Sequence, residues 1–66
     1  MYRIGIDVGG TFTDFTMIDE RAGTVFFHKV PSTPDDPSRA IAQGIGQMLR
    51  DNGVDPSEVA HVGHGT

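Results

Sequence analysis

The segment at positions 7–14 (DVGGTFTD) concentrates the residue types that could do chemistry in this chain. A glycine pair lets backbone N–H groups approach an anion closely, and such a run can form an anion-binding nest. Thr11 and Thr13 add hydroxyl donors. Asp7 would repel a bare phosphate, but it can hold Mg²⁺, directly or through water, and the metal reverses the local field. The segment therefore suits a metal-bound phosphate.

Two familiar phosphate-binding motifs do not fit this glycine loop. A P-loop requires GxxxxGK[ST], and no lysine follows these glycines. A dinucleotide fingerprint requires GxGxxG at the start of a helix, whereas this loop joins two strands. As geometry alone, a glycine pair between strands is more typical of a plain hairpin, so the loop by itself leaves both interpretations open.

The elements around the loop are predicted from apolar periodicity. Residues 2–8 alternate, with every second side chain apolar, and residues 12–19 and 24–30 form two further strands. Gly23 ends the short loop between the last two, where a positive φ suits a hairpin. The three strands predict an antiparallel meander. Asp7 then lies on the face opposite the apolar residues of its strand and can point into a cleft.

A helix is predicted after a proline-rich loop at positions 31–37. Asp36 is the expected N-cap, Pro37 suits the first helical position, and Gly53 is placed as the residue that ends the helix. One apolar stripe runs along it at helical spacing: Ile41, Ile45, Met48 and Leu49.

The end of the chain completes the predicted order. Gly44 and Gly46 inside the helix favour close packing against a sheet over a ligand role. After a turn at 54–58, residues 59–63 predict a short strand that enters the sheet parallel to the first through a crossover. The fold class is therefore α/β with the order β-β-β-α-β.

Composition excludes several classes of protein. The chain has 66 residues, no cysteine and a net charge of −4, which argues against disulfides, a cysteine-based zinc site and a nucleic-acid backbone as the main partner. No apolar run reaches the ~20 residues of a membrane span, and the start lacks the features of a secretory signal. We expect a soluble, cytoplasmic protein.

One helix covers only one sheet face, so residues 1–66 are expected to be an incomplete N-terminal portion of one domain, without an internal boundary.

Three motifs in order carry a resemblance to a known family. IGIDVGGTFTD resembles the phosphate-1 hairpin of the actin-like ATPase superfamily, and DVGGTFTD is closer still to the start of the hydantoinase A/oxoprolinase family. KVPSTPDDPSRAI resembles that family's lysine-containing strand and following loop, and HVGHGT resembles its HGT-containing loop. The resemblance implies two ribonuclease H-like domains with ATP and Mg²⁺ between them. It also implies ATP-dependent opening of a cyclic amide such as 5-oxoproline or a hydantoin, or the related carboxylation of a ketone, and it leaves room for a second subunit.

The resemblance also assigns site residues. Asp7 is the implied catalytic carboxylate on the magnesium side, acting through a bound water. Residues implied to line the phosphates are Gly9, Gly10, Thr11 and Thr13, and a second loop facing the same cleft begins with Gly65 and Thr66. For Asp14 a turn-capping role and a functional role stay open. His61 and His64 straddle a strand end and are weak as a metal pair, and His64, inside the HGT motif, is the better functional candidate.

Two alternatives to this interpretation remain. One is a small-molecule kinase or kinase-like activator of the same superfamily, because DxGGTxTD also resembles those proteins. The other is a non-enzymatic hairpin module, used for packing or partner binding, with no nucleotide affinity. In the hydrolase interpretation, the 66-residue chain alone is expected to be inactive.

Overall fold

The predicted element order is confirmed by a computed structural model, which describes residues 1–65. Thr66, predicted to face the cleft, lies outside the described residues. The elements are the strands β1 (Tyr2–Val8), β2 (Phe12–Asp19) and β3 (Val25–Pro31), the helix α1 (Pro37–Asn52), one turn of 3-10 helix (Pro56–Glu58) and the strand β4 (Val59–Gly65). The last strand extends two residues beyond the predicted 59–63.

The four strands form one mixed sheet in the order β3-β2-β1-β4. β1 pairs antiparallel with β2, β2 pairs antiparallel with β3, and β4 lies parallel to β1 after the crossover through α1. This is the predicted partial ribonuclease H-like arrangement. It places the C-terminal ends of β1 and β4 side by side, at the end of the sheet where the glycine loop lies.

The core lies on the sheet face that α1 covers. Period-two alternation turns every second side chain of β1 and β2 to this face. The buried apolar residues are Ile4, Ile6, Phe15, Met17, Val30, Ala40, Met48, Leu49 and Val54. The other face is open in the described part of the chain, and Phe27 there is 79% exposed. No helix within residues 1–65 is long and apolar enough to cross a lipid bilayer.

α1 approaches the sheet most closely at Gly44. Ala40, Gly44 and Met48 are buried, while Ile41 and Ile45 of the predicted stripe are only partly buried beside them. A methyl group on Gly44 would overlap the ring of Phe15, so close packing explains this glycine. For Gly46 the prediction was wrong, because a methyl group there would meet only the mobile end of the Arg50 side chain, at 3.4 Å.

Both predicted ends of α1 are confirmed. Asp36 Oδ1 accepts hydrogen bonds from the Ser38 hydroxyl at 2.6 Å and the Ser38 N–H at 3.2 Å. The hydroxyl contact is the main cause that holds the pKa of Asp36 below its ordinary value. At the other end, Gly53 has a φ of 64°, the left-handed conformation that glycine adopts without a Cβ penalty.

Candidate functional site

The loop between β1 and β2 is held by two backbone hydrogen bonds, one of them from the Ser32 N–H to Thr11 O, and by the Ser32 side chain. The Gly9 N–H donates to Phe12 O at 2.9 Å. Within residues 1–65 the reciprocal bond, from the Phe12 N–H to Gly9 O, is not formed, and Gly9 O instead accepts from the Ser32 hydroxyl at 2.7 Å. A Cβ on Gly9 would lie 2.8 Å from Phe12 O, so close backbone approach explains this glycine.

The tip of the loop carries backbone donors without partners. In the described part of the chain, no hydrogen bond is formed by the N–H of Gly10 or of Thr11. A Cβ on Gly10 would meet no atom within 4 Å, and its φ is not positive, so packing within this chain does not account for the glycine. Room for close approach and two free N–H groups are what an anionic oxygen requires. The loop tip therefore fits a phosphate.

Thr13 does not lie where the sequence-based expectation put it. Its side chain is fully buried on the face covered by α1, and its hydroxyl is 2.9 Å from Ser32 Oγ. Because the single Ser32 hydroxyl proton goes to Gly9 O, the Thr13 hydroxyl is the donor to Ser32. This hydroxyl lies on the covered face of the sheet, behind the loop, and does not provide the expected phosphate contact. The period-two pattern with Phe15 and Met17 was the signal that this face is buried.

A row of three charges crosses the open face of the sheet beside the loop. Asp7 on β1 lies opposite Asp14 on β2, and Asp14 lies opposite Lys29 on β3. Lys29 Nζ is 3.9 Å from Asp14 Oδ1 and 5.1 Å from the centre of the Phe12 ring. All three charged residues are exposed, and the row carries one net negative charge.

The two carboxylates fit a magnesium ion that is completed by other ligands. Within residues 1–65, no cluster of three or more histidine, cysteine or acidic side chains could hold a metal ion. Mg²⁺ commonly uses one or two carboxylates and keeps waters and phosphate oxygens for its remaining positions. Asp7 and Asp14 match that requirement, while a site made only of protein ligands does not fit this region.

β4 brings the start of the predicted second loop to the same place. Gly65 pairs with Asp7 in the parallel register. A shallow open groove of about 540 Å³ runs along this edge and is lined by Gly5, Ile6, Asp7, Asp14, Thr16, Gly63 and His64. His61 pairs with Arg3 further back along β4, outside this groove. The two histidines thus do not share this site.

Ser32 and Lys29 are the site residues that the sequence reasoning did not single out. Both lie in the stretch KVPSTPDDPSRAI, so the motif was noticed but no role was attached to them. Ser32 is 23 positions from Gly9 along the chain, and only the pairing of β2 with β3 brings the two together. The position of Lys29 beside Asp14 likewise depends on the pairing of β2 with β3.

Comparison with known proteins shows what this chain is similar to. Residues 3–66 match the family described as the hydantoinase/oxoprolinase N-terminal region. The caprolactamase subunit alpha of Pseudomonas jessenii is 48% identical over 58 residues, which cover 88% of this chain and 8% of that protein. An uncharacterized protein of Methanocaldococcus jannaschii is 53% identical over 44 residues, which cover 67% of this chain and 6% of that protein. The chain thus corresponds to only a small part of these relatives. No solved structure gives a significant match.

Proposed function

The chain belongs to the hydantoinase/oxoprolinase N-terminal family, and from this premise we propose that it is the phosphate-binding N-terminal part of an ATP-dependent enzyme that hydrolyses cyclic amides. The observation that carries the proposal is the loop tip with two free N–H groups beside an exposed carboxylate pair. The family takes its name from enzymes that act on hydantoin and 5-oxoproline, and one relative is called a caprolactamase. These three compounds share one feature, an amide group within a ring.

The residues of this chain take distinct parts in holding the nucleotide. The Gly10 and Thr11 N–H groups bind phosphate oxygens, and Gly9 allows the tight turn that brings them there. Asp7 holds Mg²⁺, through water, with Asp14 beside it. ATP supplies the phosphoryl group that turns an unreactive amide oxygen into a leaving group. The chain's own contribution is to orient the phosphates and balance their charge.

The second loop completes the cleft in this proposal. Gly65, which pairs with Asp7 at the end of β4, leads into that loop, and Thr66 is the next residue of the same motif. Thr13 supports the first loop from behind through its bond to Ser32. Adenosine and the cyclic amide bind to parts of the full-length protein beyond this chain, which is accordingly inactive alone.

The proposal extends to the setting of the full-length protein. One relative is a subunit by name, which supports assembly with a second subunit. The net charge of −4 and the acidic site argue against nucleic acid as a partner. We place the enzyme in the cytoplasm, with residues 1–66 as part of one actin-like ATPase domain.

The test is a product analysis with the full-length protein, Mg-ATP and a panel of hydantoin, 5-oxoproline and caprolactam. We expect ADP, inorganic phosphate and a ring-opened acid in equal amounts. A phosphorylated small molecule without free phosphate would instead identify the kinase alternative. In a parallel reaction with a ketone and bicarbonate, consumption of bicarbonate would identify the carboxylase branch, and absence of Mg-ATP binding in a titration would identify the hairpin module.

Asp7→Ala provides the matched variant for this assay. We expect it to abolish magnesium-dependent turnover, because the carboxylate proposed to hold the metal is lost and the neighbouring Asp14 is already paired with Lys29. Asp51→Ala is the control, since Asp51 is an exposed carboxylate on α1, remote in sequence from the loop. Unchanged turnover in Asp7→Ala would remove the assignment of Asp7.

A further inference from the structure

We infer that Ser32 is a positioning residue of the phosphate loop, which sets the direction of the Gly10 N–H through its hydrogen bond to the Gly9 carbonyl. The inference rests on the proposed function and adds a residue to it. Ser32 touches neither of the two free N–H groups itself. Its effect on a bound phosphate is therefore indirect.

Ser32 holds the loop at two carbonyl groups. It directly follows Pro31, the last residue of β3, which pairs with Phe12. The Ser32 N–H donates to Thr11 O at 2.9 Å, and the Ser32 hydroxyl donates to Gly9 O at 2.7 Å. Ser32 thus binds Gly9 O and Thr11 O, the two loop carbonyl oxygens that have a partner in the described part of the chain.

Peptide geometry converts these bonds into the direction of the free donors. In a planar trans peptide, the C=O of one residue and the N–H of the next point in opposite directions. Because Gly9 O is directed to Ser32, the Gly10 N–H is directed away from it. The same reasoning directs the Phe12 N–H away when Thr11 O is bound.

Glycine on both sides makes the Gly9–Gly10 peptide easy to rotate. Neither residue has a Cβ that restricts its backbone dihedrals. A rotated peptide would present a carbonyl oxygen, and not an N–H, to the phosphate and repel it. The Ser32 hydroxyl opposes this rotation, because the rotation breaks its hydrogen bond to Gly9 O.

The Ser32 hydroxyl is itself oriented from the core. Thr13, which is fully buried, donates its hydroxyl proton to Ser32 Oγ at 2.9 Å. A hydroxyl that accepts one bond and donates another is polarised, and its rotation is restricted. The hydrogen bonds run from Thr13 to Ser32 and from Ser32 to Gly9. A residue buried beneath α1 thereby helps to hold the exposed loop in place.

The test compares binding of Mg-ADP and of adenosine to the full-length protein by titration calorimetry. Ser32→Ala should weaken Mg-ADP binding roughly threefold to tenfold, the usual effect of one hydrogen bond, and leave adenosine binding unchanged. Ser32→Thr keeps a hydroxyl and should recover most of the Mg-ADP affinity. Thr13→Val should weaken Mg-ADP binding selectively but less, and it serves as the second variant if Ser32→Ala does not fold.

Thr33→Ala is the matched control. The Thr33 hydroxyl accepts from the Ala40 N–H at 3.1 Å and donates to Asp36 O at 2.6 Å, so it supports the start of α1 and not the loop. Its loss should leave the ratio of Mg-ADP to adenosine affinity unchanged.

The outcomes separate the inference from the proposed function. If the unaltered protein binds no Mg-ADP, the proposed function fails, and the inference with it. If it binds Mg-ADP and Ser32→Ala binds as tightly, the proposed function stands and the inference is wrong. Equal loss of adenosine and Mg-ADP binding would show a general structural role and would also overturn it.

Discussion

Asp7 and Asp14 lie directly opposite each other on β1 and β2, and both carboxylates are exposed on the open face of the sheet. Like charges in this position destabilise a pair of strands. Lys29, 3.9 Å from Asp14, offsets one of the two charges. The remaining repulsion is relieved when a cation binds, so the arrangement favours a bound cation at some expense to the stability of the free protein.

Asp7→Asn should therefore separate stability from activity. Removing one of the two facing charges is expected to stabilise the hairpin by a few tenths to about 1 kcal/mol, while magnesium-dependent turnover is lost. Hydrogen exchange of peptides covering β1 and β2 in the magnesium-free, full-length protein measures the first effect, and a steady-state assay measures the second. Asp14→Asn relieves the same repulsion but loses the ion pair with Lys29, so its gain should be smaller. Faster exchange in Asp7→Asn would contradict the repulsion.

Alanine at Gly9 and at Gly10 should act in different ways. A Cβ on Gly9 would lie 2.8 Å from Phe12 O, so Gly9→Ala distorts the loop even without ligand. Gly10→Ala meets no atom of the chain, so its exchange rates should match those of the unaltered protein. If a phosphate approaches Gly10, however, Mg-ADP affinity should fall at least tenfold in Gly10→Ala. Full affinity in that variant would argue against a phosphate at this position.

The two glycines inside α1 should respond oppositely to alanine. Gly44→Ala forces a methyl group into the Phe15 ring, and overpacking of this kind typically costs 1–3 kcal/mol, more than the helix propensity that alanine adds. Gly46→Ala meets only the flexible end of Arg50 and should stabilise the helix by up to about 1 kcal/mol. Hydrogen exchange across residues 37–52 reports both changes. Equal destabilisation by the two variants would contradict this description of the packing.

Acid should loosen the start of α1. The pKa of Asp36 lies below its ordinary value of 3.8, first because of the hydrogen bond from the Ser38 hydroxyl, then because of the Ser38 N–H and Arg39. A group with a lowered folded pKa stabilises the fold above its unfolded pKa, and this contribution disappears as the pH falls through the folded pKa. Exchange at the first turn, corrected for the intrinsic rate, should therefore accelerate below about pH 4.

Asn at position 36 is the variant that isolates this titration. It is an equally good N-cap but carries no titratable group, so Asp36→Asn should keep the cap and lose the acid-induced change. Asp51→Asn, on the exposed side of α1, should behave like the unaltered protein. An acid response that survives in Asp36→Asn would assign it to another carboxylate.

Short-range signals in the sequence were sufficient for the elements and their ends. Alternation in β1, the Asp36 cap and the positive φ of Gly53 depend on residues within a few positions of each other. The same is true of Gly23, whose φ of 76° matches the hairpin prediction. These features followed from local steric and hydrogen-bonding rules, so they could be predicted without knowledge of the contacts across the sheet.

What the sequence by itself determined is the β-β-β-α-β order, the glycine loop and the placement of Asp7 on the face opposite the apolar residues of β1. Only the tertiary structure decided that Thr13 points away from the loop surface, that Asp14 and Lys29 join Asp7 in one row, and that Ser32 binds Gly9. The physical reason is that these contacts join residues on different strands. They depend on the register of three strands and on the face covered by α1, which are set by packing across the whole sheet and not by any local pattern.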